Sequence, residues 1–266
     1  MIRMSFKENV WLWGQMPNSH HEEDNNLYNL PGVNKMTPRE GAEFFGIDNV
    51  CLIVMEDKPS VDKFDSIAES LKDVKRVAWS VLGSGGSKRN NDGGSDLDEM
   101  LNLARKYPNI MAGVADDFMR PERMKVYTPE ILNGYKDRLH NEIGKKLEFW
   151  NVIYTHEIDD NAKPYLDVFD TIKMWTWEAK DLVNLDENYK KLRGYIGEDK
   201  PLMCGCYMWD YGGHKPMPMD LMKYQLDKYY NWYEQGKIDG MIICSICIAD
   251  LGLDTVEYTK NWLMEA

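Results

Sequence analysis

Short apolar runs alternate with longer amphipathic segments along the chain, and the alternation repeats eight times over 266 residues. Each run ends at a polar or aromatic cluster, and each of the first seven is followed by a segment long enough for a helix. The runs cover residues 10–15, 50–56, 77–82, 110–118, 149–157, 172–178, 202–210 and 241–250. They are nearly continuous apolar stretches, as is typical of parallel strands buried on both faces. The pattern predicts an α/β fold, a single (β/α)8 (TIM) barrel with eight parallel strands inside an outer ring of helices.

Helix signals fall between these runs. Thr37 and Glu40 have the spacing of a capping box, and Pro38 stands at the first helical position, which predicts a helix start. No segment has the composition of an interdomain linker, and a barrel of this kind needs roughly 250 residues. Residues 1–266 are therefore predicted to form one domain. A later segment carries apolar side chains every four residues, a stripe that would lie against the barrel: Ile131, Tyr135, Leu139 and Ile143.

The charge and hydropathy of the chain narrow the range of partners. The formal net charge is −12, which repels phosphate backbones, so nucleic-acid binding is not expected. No run of about 18 apolar residues is present, so no membrane span is expected. The N-terminal residues lack the apolar core of a signal peptide, which predicts a cytoplasmic protein. The sequence makes no prediction of the oligomeric state.

All five cysteines lie in apolar runs, which predicts buried thiols in a reducing compartment. The pair Cys204 and Cys206, followed by Cys244 and Cys247, superficially suggests a zinc site. Residues three apart on a strand point to opposite faces, so the second pair is not expected to converge on one metal. Neither a metal nor another cofactor is predicted.

The active site of such a barrel lies at the carboxyl ends of its strands. Two loops beyond these ends, 16–36 and 83–95, are long and polar or glycine-rich, and we expect them to form lids or rims over the mouth. An acidic and aromatic-rich mouth favours an enzyme. The polar residues at the ends of the runs are Gln15, Glu56, Ser80, Asp116, Asp117, His156, Glu157, Glu178, Asp210 and Asp250.

The fourth run ends in two adjacent carboxylates, Asp116 and Asp117. Consecutive strand residues face opposite ways, so only one of the two is expected to point straight into the pocket. We assign that position to Asp117, as a general acid whose pKa is raised by its enclosed site. Asp116 is expected to bond to a neighbouring loop or strand beside the ligand.

The sixth and seventh runs supply candidates for a second catalytic carboxylate. If Glu178 faces inward together with Thr176, it lies across the mouth from Asp117. Asp210 stands between aromatic residues at the end of the seventh run. We expect Asp210 or Glu178 to serve as the nucleophile or base. The alternative for Glu178 is an ion pair with Lys180 in solvent.

Two carboxyl groups across a sugar-sized gap suit the cleavage of a glycosidic bond. One must be protonated to assist the leaving oxygen, and the other must be ionised to attack the anomeric carbon or to activate water. Aromatic side chains suit this chemistry because the C–H face of a sugar ring packs on an indole or a phenol ring. The predicted ligand is therefore a small carbohydrate. The predicted sugar-binding residues are Trp13, Gln15, Asp116, Tyr154, His156, Trp177, Tyr207 and Trp209.

The chain resembles the glycoside-hydrolase-type (β/α)8 barrels in architecture over its whole length, without matching a specific family. The local motifs are Gly-x-x-Asp-Asp-Phe at 113–118, Trp-x-Trp-Glu at 175–178 and Tyr-x-Trp-Asp at 207–210. In the large retaining clan of such barrels, the acid/base follows the fourth strand and the nucleophile follows the seventh. The resemblance thus implies these roles for Asp117 and Asp210. That clan generally uses glutamates and often has Asn before the acid, whereas here Asp116 precedes Asp117, so Glu178 stays open as one of the pair.

Other functions remain open at this stage. A non-catalytic carbohydrate-binding barrel would keep the aromatic residues and lack a properly spaced pair of carboxylates. A metal-dependent sugar isomerase or epimerase would use His156, Glu157, Glu178 and Asp210 as ligands. A Schiff-base lyase would need a lysine on the sixth strand, but Lys173 lies near the start of that run and is expected to reach solvent at the bottom of the barrel.

Overall fold

The computed structural model describes residues 4–20, 25–84, 87–90 and 92–266. Eight parallel strands close into a barrel, because the first strand pairs with both the second and the last. The predicted fold class, a (β/α)8 barrel, is confirmed. The barrel strands are β1 (Val10–Gly14), β2 (Asn49–Leu52), β3 (Arg76–Leu82), β4 (Ile110–Ala115), β5 (Glu148–Tyr154), β6 (Thr171–Trp175), β7 (Leu202–Tyr207) and β10 (Gly240–Cys244).

Helices surround the barrel, and a short antiparallel ribbon of β8 (Trp209–Asp210) and β9 (Lys215–Pro216) follows β7. The fourth strand is followed by two helices instead of one. In the part of the chain that the structure describes, the α-helices are α1 (Pro38–Phe45), α2 (Phe64–Ser70), α3 (Leu97–Lys106), α4 (Pro121–Val126), α5 (Pro129–Asn141), α6 (Lys163–Leu166), α7 (Leu185–Ile196), α8 (Met219–Glu234) and α9 (Asp254–Glu265). None of the helices within the described ranges is long and apolar enough to cross a membrane.

The start of α1 follows the predicted capping box. The Thr37 side chain accepts from the backbone N–H of Glu40, and the Glu40 carboxylate accepts from the backbone N–H of Thr37 at 2.8 Å. These bonds satisfy backbone donors that have no partner within the helix. The helix ends at Gly46, whose φ of +62° is a conformation that glycine adopts without strain.

Indole rings fill the interior of the barrel. Trp11 packs edge-on against Trp150 with 4.9 Å between ring centroids, and Trp13 packs against Trp175 at 5.2 Å. The indole of Trp175 lies directly on Gly205 of β7, where a Cβ atom would overlap the ring. The absence of a side chain at Gly205 therefore makes the space that Trp175 occupies.

The side chain of Lys173 lies elsewhere than the sequence predicted. We expected this side chain to reach solvent at the bottom of the barrel, but it is fully buried inside the barrel. Its Nζ lies 4.3 Å from the ring centroid of Trp150 and 5.3 Å from that of Trp13. The reason is strand alternation: Lys173 and Trp175 are two residues apart on β6 and share its inner face. Burial lowers the pKa of the Lys173 amine.

The two long loops predicted as lids or rims lie at the carboxyl end of the barrel. Parts of them, residues 21–24, 85–86 and 91, are outside the described residues. The first loop is fastened at its end by Asp250, whose Oδ2 accepts from the backbone N–H groups of Lys35 at 2.8 Å and Met36 at 3.3 Å. Asp250 is thereby occupied in holding the backbone of this loop.

A methyl group introduced at Gly205 should destabilise the barrel. The variant Gly205→Ala is expected to lower the free energy of unfolding by about 1–3 kcal/mol, because Trp175 must move and the interior is already filled. Urea denaturation measures this change. The control is Gly134→Ala in the interior of α5, where a Cβ meets nothing within 4 Å, and where alanine should stabilise by up to about 1 kcal/mol. Equal stability of the two variants would contradict the packing account.

Candidate active site

A cavity of about 530 Å³ opens at the carboxyl ends of the strands. This volume lies within the usual range of small-molecule sites, about 300–1,000 Å³. Its walls combine aromatic rings with four carboxylic side chains. The lining residues are Trp13, Gln15, His20, Leu27, Tyr28, Met55, Glu56, Ser84, Asp116, Asp117, Arg120, Val152, Tyr154, His156, Glu157, Trp175, Trp177, Tyr207, Tyr211 and Cys244.

Asp116 and Asp117 both line the cavity, although strand alternation predicted only one. The reason is that β4 ends at Ala115, so the two residues belong to the turn beyond it. Asp117 adopts a φ of +42°, in the left-handed region. Asp116 Oδ1 accepts from the backbone N–H of Asp117 at 2.9 Å, which holds the turn in place.

Asp116 is the more enclosed of the two carboxyl groups, with 5% of its surface exposed. Burial raises the pKa of Asp116 well above its ordinary value, and the adjacent Asp117 raises it further. The Arg123 guanidinium opposes this rise, while its Nη1 donates to the carbonyl oxygens of Gly83 at 2.7 Å and Asp116 at 2.9 Å. Asp116 therefore stands in the cavity wall as a carboxyl group that favours its proton.

The carboxylate of Asp117 lies beside a hydroxyl group and a guanidinium group. The Tyr154 hydroxyl donates to Asp117 Oδ1 at 2.9 Å, and Arg120 Nη2 lies 3.6 Å from Asp117 Oδ2. Both contacts place a donor or a positive charge beside the oxygens of Asp117. The two neighbours thus present different chemistry to the same cavity, a proton carrier at Asp116 and an acceptor at Asp117.

Glu157 is the third carboxyl group in this part of the cavity. It stands at the end of a single 3-10 turn, Thr155–Glu157, that follows β5, and its Oε2 accepts from the backbone N–H of Tyr154 at 2.9 Å. Burial raises the pKa of Glu157 to about 7, although that hydrogen bond opposes the rise and Asp117 adds to it. A carboxyl group with a pKa near neutrality can both donate and accept a proton at physiological pH.

Five aromatic rings form a continuous wall beside these carboxyl groups. Tyr154 meets Trp177 edge-on at 5.4 Å between centroids, and Trp177 meets Tyr207 at 5.9 Å. Tyr211 packs on Tyr207 at 5.1 Å, and Tyr28 packs on Tyr211 at 5.2 Å. Burial raises the pKa of the Tyr154, Tyr207 and Tyr211 hydroxyls well above the ordinary value, so these groups stay protonated. We call these five residues the aromatic wall.

Two buried polar atoms in the cavity lining have no hydrogen-bond partner among the described residues. They are Trp175 Nε1, on a residue 2% exposed, and Ser84 Oγ, on a residue 7% exposed. Buried donors are paired in most native structures. Trp175 Nε1 and Ser84 Oγ are exceptions to this rule within the described residues.

Most of the sequence-predicted site residues are brought together in this cavity. The predicted catalytic residue Asp117 lines it, and so do seven of the eight predicted sugar-binding residues. Those seven are Trp13, Gln15, Asp116, Tyr154, His156, Trp177 and Tyr207. His156 is exposed at the rim, with its ring parallel to that of Tyr154 at 5.5 Å.

Glu178 does not line the cavity. Trp175 and Trp177 line the cavity and so occupy the inner face of the chain at the end of β6. Glu178 therefore turns away, and its Oε2 lies 2.6 Å from Lys180 Nζ with the side chain 38% exposed. This is the solvent ion pair that the sequence left as the alternative.

Asp210 and Trp209 are also outside the cavity lining, because they form the short ribbon beyond β7. Asp210 is buried, and its Oδ1 accepts from the backbone N–H groups of Ala179 at 3.0 Å and Gly213 at 2.9 Å. Trp209 Nε1 donates to the carbonyl oxygen of Tyr28 at 3.0 Å. Both side chains bond to the backbone of neighbouring loops, and Trp209 does so at Tyr28, a residue of the aromatic wall.

Several lining residues were not selected from the sequence. Glu56 and Glu157 stand at strand ends, and only that position distinguished them from other acidic residues. Arg120, Tyr28 and Tyr211 come from loops, where no periodicity indicates which side chain turns inward. The only sequence signal for Arg120, Tyr28 and Tyr211 was that they follow the carboxyl ends of strands.

The described residues contain no arrangement of side chains suited to bind a metal ion. No group of three or more His, Cys, Asp or Glu side chains there is arranged to hold an ion. Of the four ligands considered for a metal-dependent isomerase, His156 and Glu157 line the cavity, whereas Glu178 and Asp210 do not. All five cysteines are free and buried.

No protein-family model matches the chain, and no curated protein sequence matches it. Solved structures are similar to it in fold. The ICChI chitinase from Ipomoea carnea has a TM-score of 0.59 at 13% identity, over 95% of this chain and 99% of that one. An endo-beta-N-acetylglucosaminidase from Cordyceps militaris has a TM-score of 0.58 at 9% identity, over 97% and 90%. The aldolase QR15 has a TM-score of 0.51 at 12% identity, over 100% of both chains.

These similarities confirm the resemblance to glycoside-hydrolase-type barrels at the level of the fold. At such low identities they show the fold alone. Because an aldolase shares the same architecture, the barrel does not select the reaction. Any choice of reaction has to come from the side chains in the cavity.

The titration of Glu157 tests the electrostatics of the cavity. Carboxyl-detected NMR should show Glu157 titrating near pH 7. In Asp117→Asn the midpoint should fall, because a neighbouring negative charge that favours the protonated form is removed. The control Glu187→Gln, an exposed residue on α7, should leave the midpoint unchanged. A Glu157 midpoint near the ordinary value of 4.5 would contradict the burial of this carboxyl group.

Proposed function

We propose that the protein is a glycosidase-like hydrolase that cleaves a carbohydrate in the cavity at the carboxyl end of the barrel. The observation that carries the proposal is that Glu157, whose pKa is raised to about 7, lines the same cavity as Asp117, which accepts a hydrogen bond from Tyr154 and lies beside Arg120. Glycosidic cleavage needs one protonated and one ionised carboxyl group in the same site. Both line a single cavity here.

The roles follow from the two environments. Glu157 is the proton donor to the leaving oxygen, because near neutral pH a large fraction of it carries a proton. Asp117 faces the anomeric carbon, where positive charge develops, with Tyr154 and Arg120 fixing its orientation. This assignment departs from the sequence prediction, in which Asp117 was the acid and Asp210 or Glu178 its partner.

The other cavity residues suit a sugar. Trp13 and Trp177 line the cavity and so offer aromatic surface to the C–H face of a pyranose ring, and Gln15 adds a polar group. Gln15 is positioned by Cys247, whose Sγ donates to Gln15 Oε1 at 2.9 Å.

A non-catalytic carbohydrate-binding barrel is the second candidate, and one observation favours it. Asp116, Asp117 and Glu157 all come from the ends of the adjacent strands β4 and β5. A hydrolase places its two carboxyl groups on different sides of the scissile bond. The binding function would need the aromatic wall alone, so activity measurements separate the two candidates.

Removing either carboxyl group should abolish most turnover. On a panel of nitrophenyl glycosides, Asp117→Asn and Glu157→Gln are each expected to lower kcat/KM by about 10²–10⁴-fold. Circular dichroism and the thermal midpoint check that the variants fold. Glu178→Gln should keep the wild-type rate, because that side chain lies outside the cavity. Full activity in Asp117→Asn would refute the assignment, and ligand binding without turnover in the wild type would favour the binding barrel.

The pH dependence of kcat/KM should report the titration of Glu157. As a general acid it works in its protonated form, so kcat/KM should fall as the pH rises through about 7. Steady-state rates across the pH range measure this limb. A profile in which kcat/KM stays constant through that pH, or rises, would assign Glu157 a different role.

A further inference from the structure

We propose that the sugar bound in this cavity carries a free ammonium group, as a deacetylated amino sugar does. The inference rests on the proposed function to the extent that it concerns the same cavity and a carbohydrate ligand. It adds the chemical class of that carbohydrate. Two independent features of the cavity support a cationic ligand, its excess of carboxyl groups and its aromatic wall.

The cavity lining has far more acidic than basic groups. Glu56, Asp116, Asp117 and Glu157 line it, whereas Arg120 is the one lining residue with a permanent positive charge in the described part of the chain. Arg120 has 52% of its side chain exposed and lies at the rim beside Asp117. Even with Asp116 protonated, the cavity favours a positively charged ligand. The net charge of −12 over the whole chain acts in the same direction.

The aromatic wall supplies the second feature. A cation placed over the face of a tryptophan or tyrosine ring is attracted by the negative charge of the π face. Tyr154, Trp177 and Tyr207 all line the cavity, and Trp177 meets the other two rings edge-to-face. The Tyr154 hydroxyl also reaches Asp117, so an acidic group stands at the edge of the aromatic wall. Aromatic faces with an adjacent carboxylate are a combination that recognises an ammonium group.

The acidity of the cavity could also serve catalysis, because positive charge develops on the anomeric carbon during cleavage. That charge appears only in the transition state, and one ionised carboxylate is sufficient to face it. The aromatic wall and the additional carboxyl groups act on the ligand before any bond breaks. Binding of unreactive ligands in the ground state therefore distinguishes the two explanations.

The experiment is a calorimetric titration of the full chain with three methyl glycosides, those of glucosamine, N-acetylglucosamine and glucose. It is run at a pH where the amine of glucosamine is protonated. The ammonium sugar is expected to bind about tenfold more tightly than either neutral sugar, which is the size of a desolvated cation–π and charge contribution. Glucose matches glucosamine in ring and size, and N-acetylglucosamine keeps the 2-nitrogen without its charge, so the two comparisons together isolate the ammonium group.

Two variants test which side chains cause the tighter binding of the ammonium sugar. Asp117→Asn removes the adjacent negative charge, and Trp177→Leu removes a ring while keeping an apolar side chain. Each should reduce the preference for the ammonium sugar to about threefold or less, because each removes one of the two contributions. Glu187→Gln, which removes one negative charge from exposed α7, should preserve it. Thermal midpoints identify a variant that fails to fold, in which case the other variant decides.

The outcomes separate this inference from the proposed function. Equal or tighter binding of the neutral sugars overturns the ammonium preference, while turnover of nitrophenyl glycosides would still uphold the hydrolase. Tighter binding of the ammonium sugar without any turnover would uphold the inference and refute the hydrolase. Tetramethylammonium is the further probe: binding as tight as that of glucosamine would show a cation site that does not recognise sugar, and would overturn the proposal.

Discussion

The contact between Trp175 and Gly205 determines the organisation of the mouth of the barrel. Since a side chain on β7 would overlap the indole, Gly205 leaves the space that lets the inner face of β6 carry a tryptophan. Strand alternation then places Lys173 on the same inner face of β6 as Trp175. Beyond the end of β6, Trp177 lines the cavity and Glu178 pairs with Lys180 instead. This packing contact thus places an aromatic ring of β6 in the cavity lining.

The turn after β4 has a comparable effect on the chemistry of the cavity. Because β4 ends at Ala115, the backbone beyond it no longer alternates, and Asp116 and Asp117 reach the same cavity. Their environments still differ. Asp116 is buried and favours its proton, whereas Asp117 accepts from Tyr154 and lies near Arg120. The adjacent Asp116 and Asp117 therefore differ in burial and in their polar neighbours, and enclosure raises the pKa of Glu157 to about 7 in the same space.

Much of the cavity lining could be predicted from the sequence. Trp13, Tyr154 and Tyr207 stand at the ends of apolar runs, and the closed parallel ring brings those ends together, so their place in the cavity followed from the fold. The partner of Asp117 could not be predicted in this way. Asp210 has a carboxylate at a strand end too, yet two backbone N–H groups hold it in a ribbon outside the cavity. Loop backbone decides such cases, and its course has no periodic signature in the sequence.

The sequence by itself determined the eight strand–helix units, the closed barrel and the end of it that carries an acidic and aromatic mouth, because hydrophobic periodicity and helix caps are local properties. Only the tertiary structure decided which carboxyl groups share the cavity and which of them favours a proton. Those properties depend on which face of β6 turns inward, on the left-handed backbone of Asp117, and on how far Glu157 is removed from water. These properties depend on packing and on the course of loop backbone, which no periodic pattern in the sequence records.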